Sequence, residues 1–359
     1  MSSTASAVLA PSRRRLAVFP VYRDNPYLNL LLLAPRAAGW KVLESARLEA
    51  FEKDVRSLGR GDVVHVHWTA PIVQRASTSE EGTERLRRFQ VAVDDAQRRG
   101  ATVLWTVHNA LPHDVQHRAL ELELSRFLAS TADVIHVMNS GTARVVEDDY
   151  SLPRAKLVHI PHPSYRGVYE TGLSREEARA SFDFAEDEFA VLFFGQVRPY
   201  KGVDLLIEAF HRTTSTGRFV FMLAGRTSPE DKAVIDGMLP EGLRCVRHHD
   251  FLADEEVERW FAAADLTVLP YRRILNSGTL HLAATYGVPV ALPDEDHLRK
   301  EFGAEQWISW FSPGDVDDLA ALLEQRPPSA NGAAAFSDRL RPFSVSRTYA
   351  KVLARAAGS

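Results

Sequence analysis

Two cations, Arg198 and Lys201, follow an apolar run that ends in a glycine. The segment Val191–Ala209 reads VLFFGQVRPYKGVDLLIEA. It predicts a buried strand, a tight turn at Gly195, and an amphipathic helix that begins after Gly202. A glycine turn with cations held just before a helix suits a phosphate, because exposed N–H groups and the helix dipole favour an anion and the side chains add full charge. An ordinary strand–loop–helix connection with two solvated cations accounts for the same residues. A second candidate anion site lies in Leu269–Ala291, LPYRRILNSGTLHLAATYGVPVA. Tyr271, Arg272 and Arg273 follow an apolar run. Asn276, Ser277, Gly278 and Thr279 then form a helix cap whose first N–H groups are free, and Gly278 lets a ligand approach the backbone. A capped helix without any ligand also explains Asn276 and Ser277. Two such cradles in one domain suit a diphosphate held between them.

Imidazole chemistry gathers in the first half, where eight of the thirteen histidines precede Pro163. The segment DVVHVHWTAP places His65 and His67 two apart on a strand, on one face. TVLWTVHNALPHD puts His108 and Asn109 at a strand's carboxyl end, and LVHIPHP carries His162. Such a cluster suits sugar hydroxyls, which need donors and acceptors, or a general base. Core histidines satisfied by backbone carbonyls are the alternative for His65 and His67. His108 is the strongest candidate on position, while His113, His117 and His136 read as local structural residues. No acid or cysteine beside the HxH pair completes a metal shell. Asp294 and Asp296 form a DxD-like pair that reads as a solvated acidic loop.

The elements that position these residues alternate. Strands are predicted at Arg15–Phe19, Asp62–His67, Thr102–His108, Val134–Met138 and Leu157–Ile160, with helices such as Thr83–Arg99 and Val115–Ser130 between them. A second series follows: Ala190–Phe194, Phe219–Ala224, Arg244–His248, Leu266–Leu269 and Val288–Ala291, with helices at Val203–Thr213, Pro229–Met238, Asp254–Ala264 and Thr279–Tyr286. Alternation of this kind predicts parallel α/β sheets, here two doubly wound Rossmann-like domains facing a central cleft, with ligand at the carboxyl ends of the strands. The domains are read as a disordered tail over 1–14, an acceptor domain over 15–180, a donor domain over 181–340, and a last helix over 341–359 that packs back on the first domain.

Composition excludes several classes. The 359 residues carry 43 Lys and Arg against 47 Asp and Glu, so no global charge favours nucleic acid. A single cysteine, Cys245, rules out a disulfide framework and fits a reducing compartment. No apolar run reaches the roughly 18 residues of a membrane span, and the first fifteen residues make a poor signal peptide. The expectation is a cytoplasmic protein, with peripheral contact at the inner membrane face as an option. Arg13–Arg15 and Arg85, Arg87 and Arg88 are weak candidates for that contact.

Taken together, FFGQVRPYKGVDLLIEAF, HHDFLADEEVERWFAAADLTVLPY and NSGTLHLAATYGVPVA, with DVVHVHW and TVHN ahead of them, resemble GT-B glycosyltransferases, close to the retaining family 4 group. The resemblance covers nearly the whole chain. It implies a nucleoside-diphosphate sugar donor, UDP- or GDP-linked, and no other cofactor. It implies a saccharide or polyprenyl-linked saccharide acceptor. By it, Arg198 and Lys201 grip the donor diphosphate, and His108 approaches the transferred sugar. Gly195, His249, Tyr271, Asn276, Ser277, Gly278 and Thr279 join them on the donor side. Asn25, Tyr27, His65, His67, Trp68, Asn109 and His162 are the acceptor-side candidates. Transfer would proceed with retention and without metal. The family's two glutamates are replaced by Ile274 and Leu282, and the glycine-rich loop after the first strand reads FPVYRDNPYLNLL, so the ribose contact must come from elsewhere. A non-catalytic nucleotide-sugar-binding protein and a sugar-nucleotide epimerase on the same fold are the competing readings.

Overall fold

The computed structural model describes residues 14–358, apart from 23–24, 113, 170–171, 215 and 326–327. The expected tail, up to residue 13, and His113 lie outside the described residues. The chain divides into two compact units. The first comprises the chain up to Val137, Val146–Ile160 and Ser346–Ser359; the second comprises Met138–Val145 and Pro161–Val345. The divides fall at 160/161 and 345/346 rather than at 180/181 and 340/341, and a short excursion, Met138–Val145, joins the second unit.

The first unit is built on β1 (Arg15–Phe19), β2 (Lys41–Glu44), β3 (Val63–Val66), β4 (Thr102–Val107), β5 (Val134–Val137) and β6 (Leu157–His159). They form one parallel sheet in the order β2-β1-β3-β4-β5-β6. Alternation along the strands gives the sheet two distinct faces. On one, Phe19 stacks on Phe51 of helix Leu48–Arg56 at 4.7 Å, and Phe51 on Phe89 of helix Ser79–Arg98 at 5.6 Å. The other face carries His65, Thr106 and His136. It is covered by the last helix, Pro342–Ala356, whose Tyr349 reaches His65. Ser346 of that helix donates to Leu31 O and accepts from Ala34 N, both at 2.7 Å, fixing it beside helices Pro26–Leu31 and Leu33–Ala37.

The second unit contains β7 (Phe189–Phe194), β8 (Phe219–Ala224), β9 (Arg244–His248), β10 (Leu266–Val268), β11 (Val290–Pro293) and β12 (Ile308–Phe311). All pair in parallel, in the order β9-β8-β7-β10-β11-β12. Strand order reverses between β7 and β10, the switch point where loops diverge and leave a crevice at the carboxyl ends. Phe193, Phe210, Phe219, Phe221 and Leu323 are buried in one core that includes helices Val203–Arg212 and Val316–Glu324.

The ten expected strands are present within a few residues of their predicted ends. β2 and β12 were not expected. Each lies at a sheet edge, and the two middle residues of each are only half-buried.

Candidate active site

In the second unit the two candidate loops leave the two strands that flank the switch point. Gly195 follows β7; Pro270 and Tyr271 follow β10. Gly195 has φ 111°, and a Cβ built on it would stand 2.8 Å from Lys201 Nζ and 3.8 Å from Thr279 Oγ1. Lys201 Nζ also lies 5.6 Å from the centre of the Tyr271 ring. Thr279 Oγ1 donates to Phe194 O at 3.3 Å. An ammonium, a hydroxyl, an aromatic face and a bare glycine backbone therefore converge at one place. The helix Gly278–Tyr286 starts there, N-capped by Ser277, whose hydroxyl accepts from Leu280 N. The two cradles read from sequence are one.

Local sequence explains why the loop holds its shape. Pro199–Lys201 is a single 3-10 turn that ends at Gly202 with φ 66°, ψ 32°. A Cβ at Gly202 would come within 2.0 Å of Pro270 O, so only glycine allows the β7 and β10 loops to touch. Arg272, which the sequence reading passed over as one of a loop pair, ties them together. Its backbone N–H donates to Tyr200 O at 2.7 Å. Its guanidinium donates to Pro199 O and, in a bidentate fork, to both oxygens of Asp204. Burial works to raise the Asp204 pKa, but Arg272 and the amides at the start of helix Val203–Arg212 outweigh it and hold the carboxylate below its usual range. That helix start is thus served by the protein's own carboxylate.

The remaining donor-side candidates lie along the same sheet end. His249 follows β9, and its Nδ1 is 3.0 Å from Thr227 Oγ1 in the loop after β8. Burial, then Lys232 and Arg247, lower its pKa. Asn276 and Arg198 are half-buried beside the cradle. Ile274 and Leu282, where the resemblance implies glutamates, are buried at 7% and 6% exposure. Next to Leu282, His281 stacks on His162 with ring centres 4.5 Å apart. His162 Nδ1 donates to Pro163 O at 2.7 Å, and burial pushes its pKa down to about 4. His162 was expected to meet an acceptor in the first domain. It instead packs within the second unit, 8% exposed, as a wall of the core. Asp294 of the DxD-like pair is taken by both Nε and Nη2 of Arg299, at 2.6 and 2.7 Å.

The first unit has its own polar constellation at the ends of β3 and β4. His108 stacks on Trp68 at 4.1 Å and meets the edge of Tyr27 at 5.2 Å. His67 Nδ1 is 3.0 Å from His108 Nε2. The site thus pairs an imidazole with aromatic faces, a surface suited to sugar hydroxyls and C–H groups. Asn109 is half-buried next to it. Asn25 accepts from Tyr27 N at 3.0 Å and so caps helix Pro26–Leu31.

His65 was expected on the acceptor side, and the structure corrects this. It has no exposed surface, and both ring nitrogens are used. Nδ1 meets Tyr349 Oη at 2.6 Å and Nε2 meets Thr106 Oγ1 at 2.7 Å. Thr106 Oγ1 continues to His136 Nδ1 at 3.0 Å, and His136 Nε2 to Ile160 O at 2.9 Å. The last carbonyl can only accept; with one proton on each imidazole, the directions along the chain follow. His136 Nε2–H donates to Ile160, Thr106 donates to His136, His65 Nε2–H donates to Thr106, and Tyr349 donates to His65. The His65 imidazole is neutral, in accord with burial, which holds its pKa well below the ordinary value. No sequence signal links Tyr349 to His65, 284 positions away.

Residues 188–325 match the family model described as glycosyl transferases group 1. The chain is 23% identical over 320 residues to a GDP-mannose:glycolipid 4-beta-D-mannosyltransferase of Xanthomonas campestris pv. campestris, covering 88% of this chain and 84% of that one. It is 26% identical over 273 residues to a D-inositol 3-phosphate glycosyltransferase of Streptomyces coelicolor, covering 66% of this chain and 57% of that one. Among solved structures it superposes on the Anabaena protein HepE in complex with UDP and glucose, with a TM-score of 0.71 at 13% identity over 96% of this chain and 100% of that one. The chain is a GT-B glycosyltransferase. The Lys201–Thr279 cradle of the transferase falls inside the matched segment, while its His108 constellation lies outside it.

Proposed function

We propose that this glycosyltransferase takes a sugar from a nucleoside-diphosphate donor, UDP- or GDP-linked, held in the second unit, and passes it to a hydroxyl of a saccharide or glycolipid bound on the first. The convergence of Lys201, Thr279, Tyr271 and the Gly195 backbone at the reversal of strand order carries the reading. Negative charge builds on the β-phosphate as the leaving group departs. Arg198, Lys201 and the amides of Ser277–Thr279 are the groups assigned to stabilise it, fixed in advance so that nothing reorganises during the reaction. These groups supply the positive charge themselves, so the proposal includes no metal. His108, flanked by Trp68, is assigned to the sugar and acceptor hydroxyls. Because the Xanthomonas relative acts on a glycolipid with GDP-mannose, GDP-mannose is the first donor to try.

Two anomeric outcomes separate at this point. The family 4 resemblance supports retention. The 4-beta linkage in the Xanthomonas relative's name favours inversion, since the sugar of GDP-mannose is α-linked to its diphosphate. The anomeric proton coupling of the product decides between them.

The test is donor turnover and nucleotide binding in parent, Arg198→Ala and Lys201→Ala proteins. A nucleoside diphosphate at about 100 times its Kd stabilises the protein by about 2.7 kcal/mol. Loss of either cation reduces turnover on the order of 10²-fold or more and weakens that stabilisation. Unchanged binding in both variants refutes the diphosphate assignment. Binding without consumption of any nucleotide sugar, with any acceptor, makes the protein a binding module instead.

A further inference from the structure

Gly278 opens the helix of the cradle, and the space of its missing side chain is already taken. A Cβ built on it would stand 2.7 Å from Tyr165 Oη. Glycine here admits a phenol hydroxyl against the backbone of the first helical residue. The next residue is Thr279, whose hydroxyl shares the cradle with Lys201. Tyr165 is held from its far end. Its backbone N–H donates to Thr285 Oγ1 at 3.2 Å, further along the same helix, and Thr285 Oγ1 donates in turn to His281 O at 2.7 Å. The seven residues from Gly278 to Thr285 span about 10 Å of helix, so the side chain runs back along the helix to its N-terminus. The ring packs on His162 and Tyr169, with centres 5.6 and 5.8 Å away, and the residue is 6% exposed.

A buried tyrosine ordinarily finds a partner for its O–H, yet the Tyr165 hydroxyl makes no hydrogen bond among the described residues. Burial, with Tyr169 adding to it, pushes the phenol pKa above its ordinary value of 10, so the group keeps its proton through the neutral range. Beside it are the first-turn amides of the helix, which have no intrahelical acceptor; the Ser277 hydroxyl serves Leu280 N. An O–H donor without a partner, next to N–H donors at a helix start, suits an anion with several acceptor oxygens. We propose that Tyr165 is a further substrate-binding residue, its Oη donating to a β-phosphate oxygen of the nucleoside-diphosphate sugar at the start of helix Gly278–Tyr286. The proposal rests on the diphosphate reading of the cradle and adds one named group to it.

Tyr165→Phe removes one oxygen and keeps the ring against His162 and Tyr169. Calorimetry of the full chain compares UDP and GDP with UMP and GMP. A hydrogen bond to a charged oxygen is worth about tenfold or more in affinity. The variant should bind the diphosphate that the parent prefers about tenfold or more weakly, and the matching monophosphate as the parent does. It should melt no lower than the parent, since no bond within the protein is lost. The contact is tested separately and without ligand. Gly278→Ala should lower the melting temperature of the parent, and lower it less in the Tyr165→Phe background, where the nearest ring atom is 3.7 Å from the new Cβ. An equal effect of Gly278→Ala in both backgrounds refutes the contact and the proposal with it. Unchanged diphosphate affinity in Tyr165→Phe, with affinity lost in Lys201→Ala, overturns the proposal and leaves the diphosphate reading standing. Unchanged affinity in both variants removes that reading and the proposal together. Equal weakening of mono- and diphosphate, or a raised KM for the nucleotide sugar with diphosphate affinity unchanged, places the hydroxyl on another part of the substrate and also overturns it.

Discussion

Mild acid should unfold this protein through its buried histidines. His65, His67, His162 and His281 are all buried, and burial is the main reason each pKa lies below the ordinary value of 6.5; it reaches about 4 for His162. A depressed pKa means the unfolded chain binds more protons than the folded one below pH 6.5. The stability these groups contribute is complete above that pH and is lost as pH falls toward the folded values. Between pH 7.5 and 5.5 each loses about 1.4 kcal/mol, so four lose about 5 kcal/mol, comparable to the whole stability of a marginal domain. The loss is about equal in the two units, which hold two of these histidines each. His249 and His297, also depressed by burial, add to it. Glu121, raised by burial, opposes it. Urea unfolding at the two pH values measures the sum, and hydrogen exchange of the β3–β4 and β7–β8 amides reports each unit. His281→Leu is the control. Nδ1 of His281 is buried without a hydrogen-bond partner, so leucine costs little there. The variant should lose about 1.4 kcal/mol less than the parent over the same interval. Equal stability at pH 5.5 and 7.5, or a parent-like slope in His281→Leu, refutes the reasoning.

Three further outcomes follow from the geometry. Gly202→Ala meets both a left-handed backbone and the Pro270 carbonyl; it should cost about 1–3 kcal/mol and weaken nucleotide binding measured by calorimetry. Arg272→Ala frees the loop that carries Lys201, and should lower kcat/KM for the donor on the order of 10²-fold by misplacing a group that need move only about 1 Å; Arg272→Lys should not rescue it, because one ammonium cannot make the fork to Asp204. Tyr349→Phe strands the Nδ1 acceptor of His65 in the core and should cost about 1–3 kcal/mol in urea unfolding, with donor affinity in the second unit unchanged.

The sequence alone determined the strand–helix alternation of both units, the position of Gly195 at a strand end, and the presence of Arg198, Lys201 and the Ser277 cap beside an expected crevice. Those features are local: a buried strand needs a run of apolar residues, and a cap needs its side chain within three residues of the amide it serves. What tertiary structure decided was which polar groups meet. Arg272 reaches Asp204 across 68 positions and ties the two loops of the cradle together. Tyr349, Thr106 and Ile160 take His65 and His136 out of any site and make them a wire through the core. His162 turns away from acceptor chemistry by stacking on His281. A histidine in a linear sequence can be ligand, base or strut, and only the donors and acceptors that folding brings to its two nitrogens choose among them.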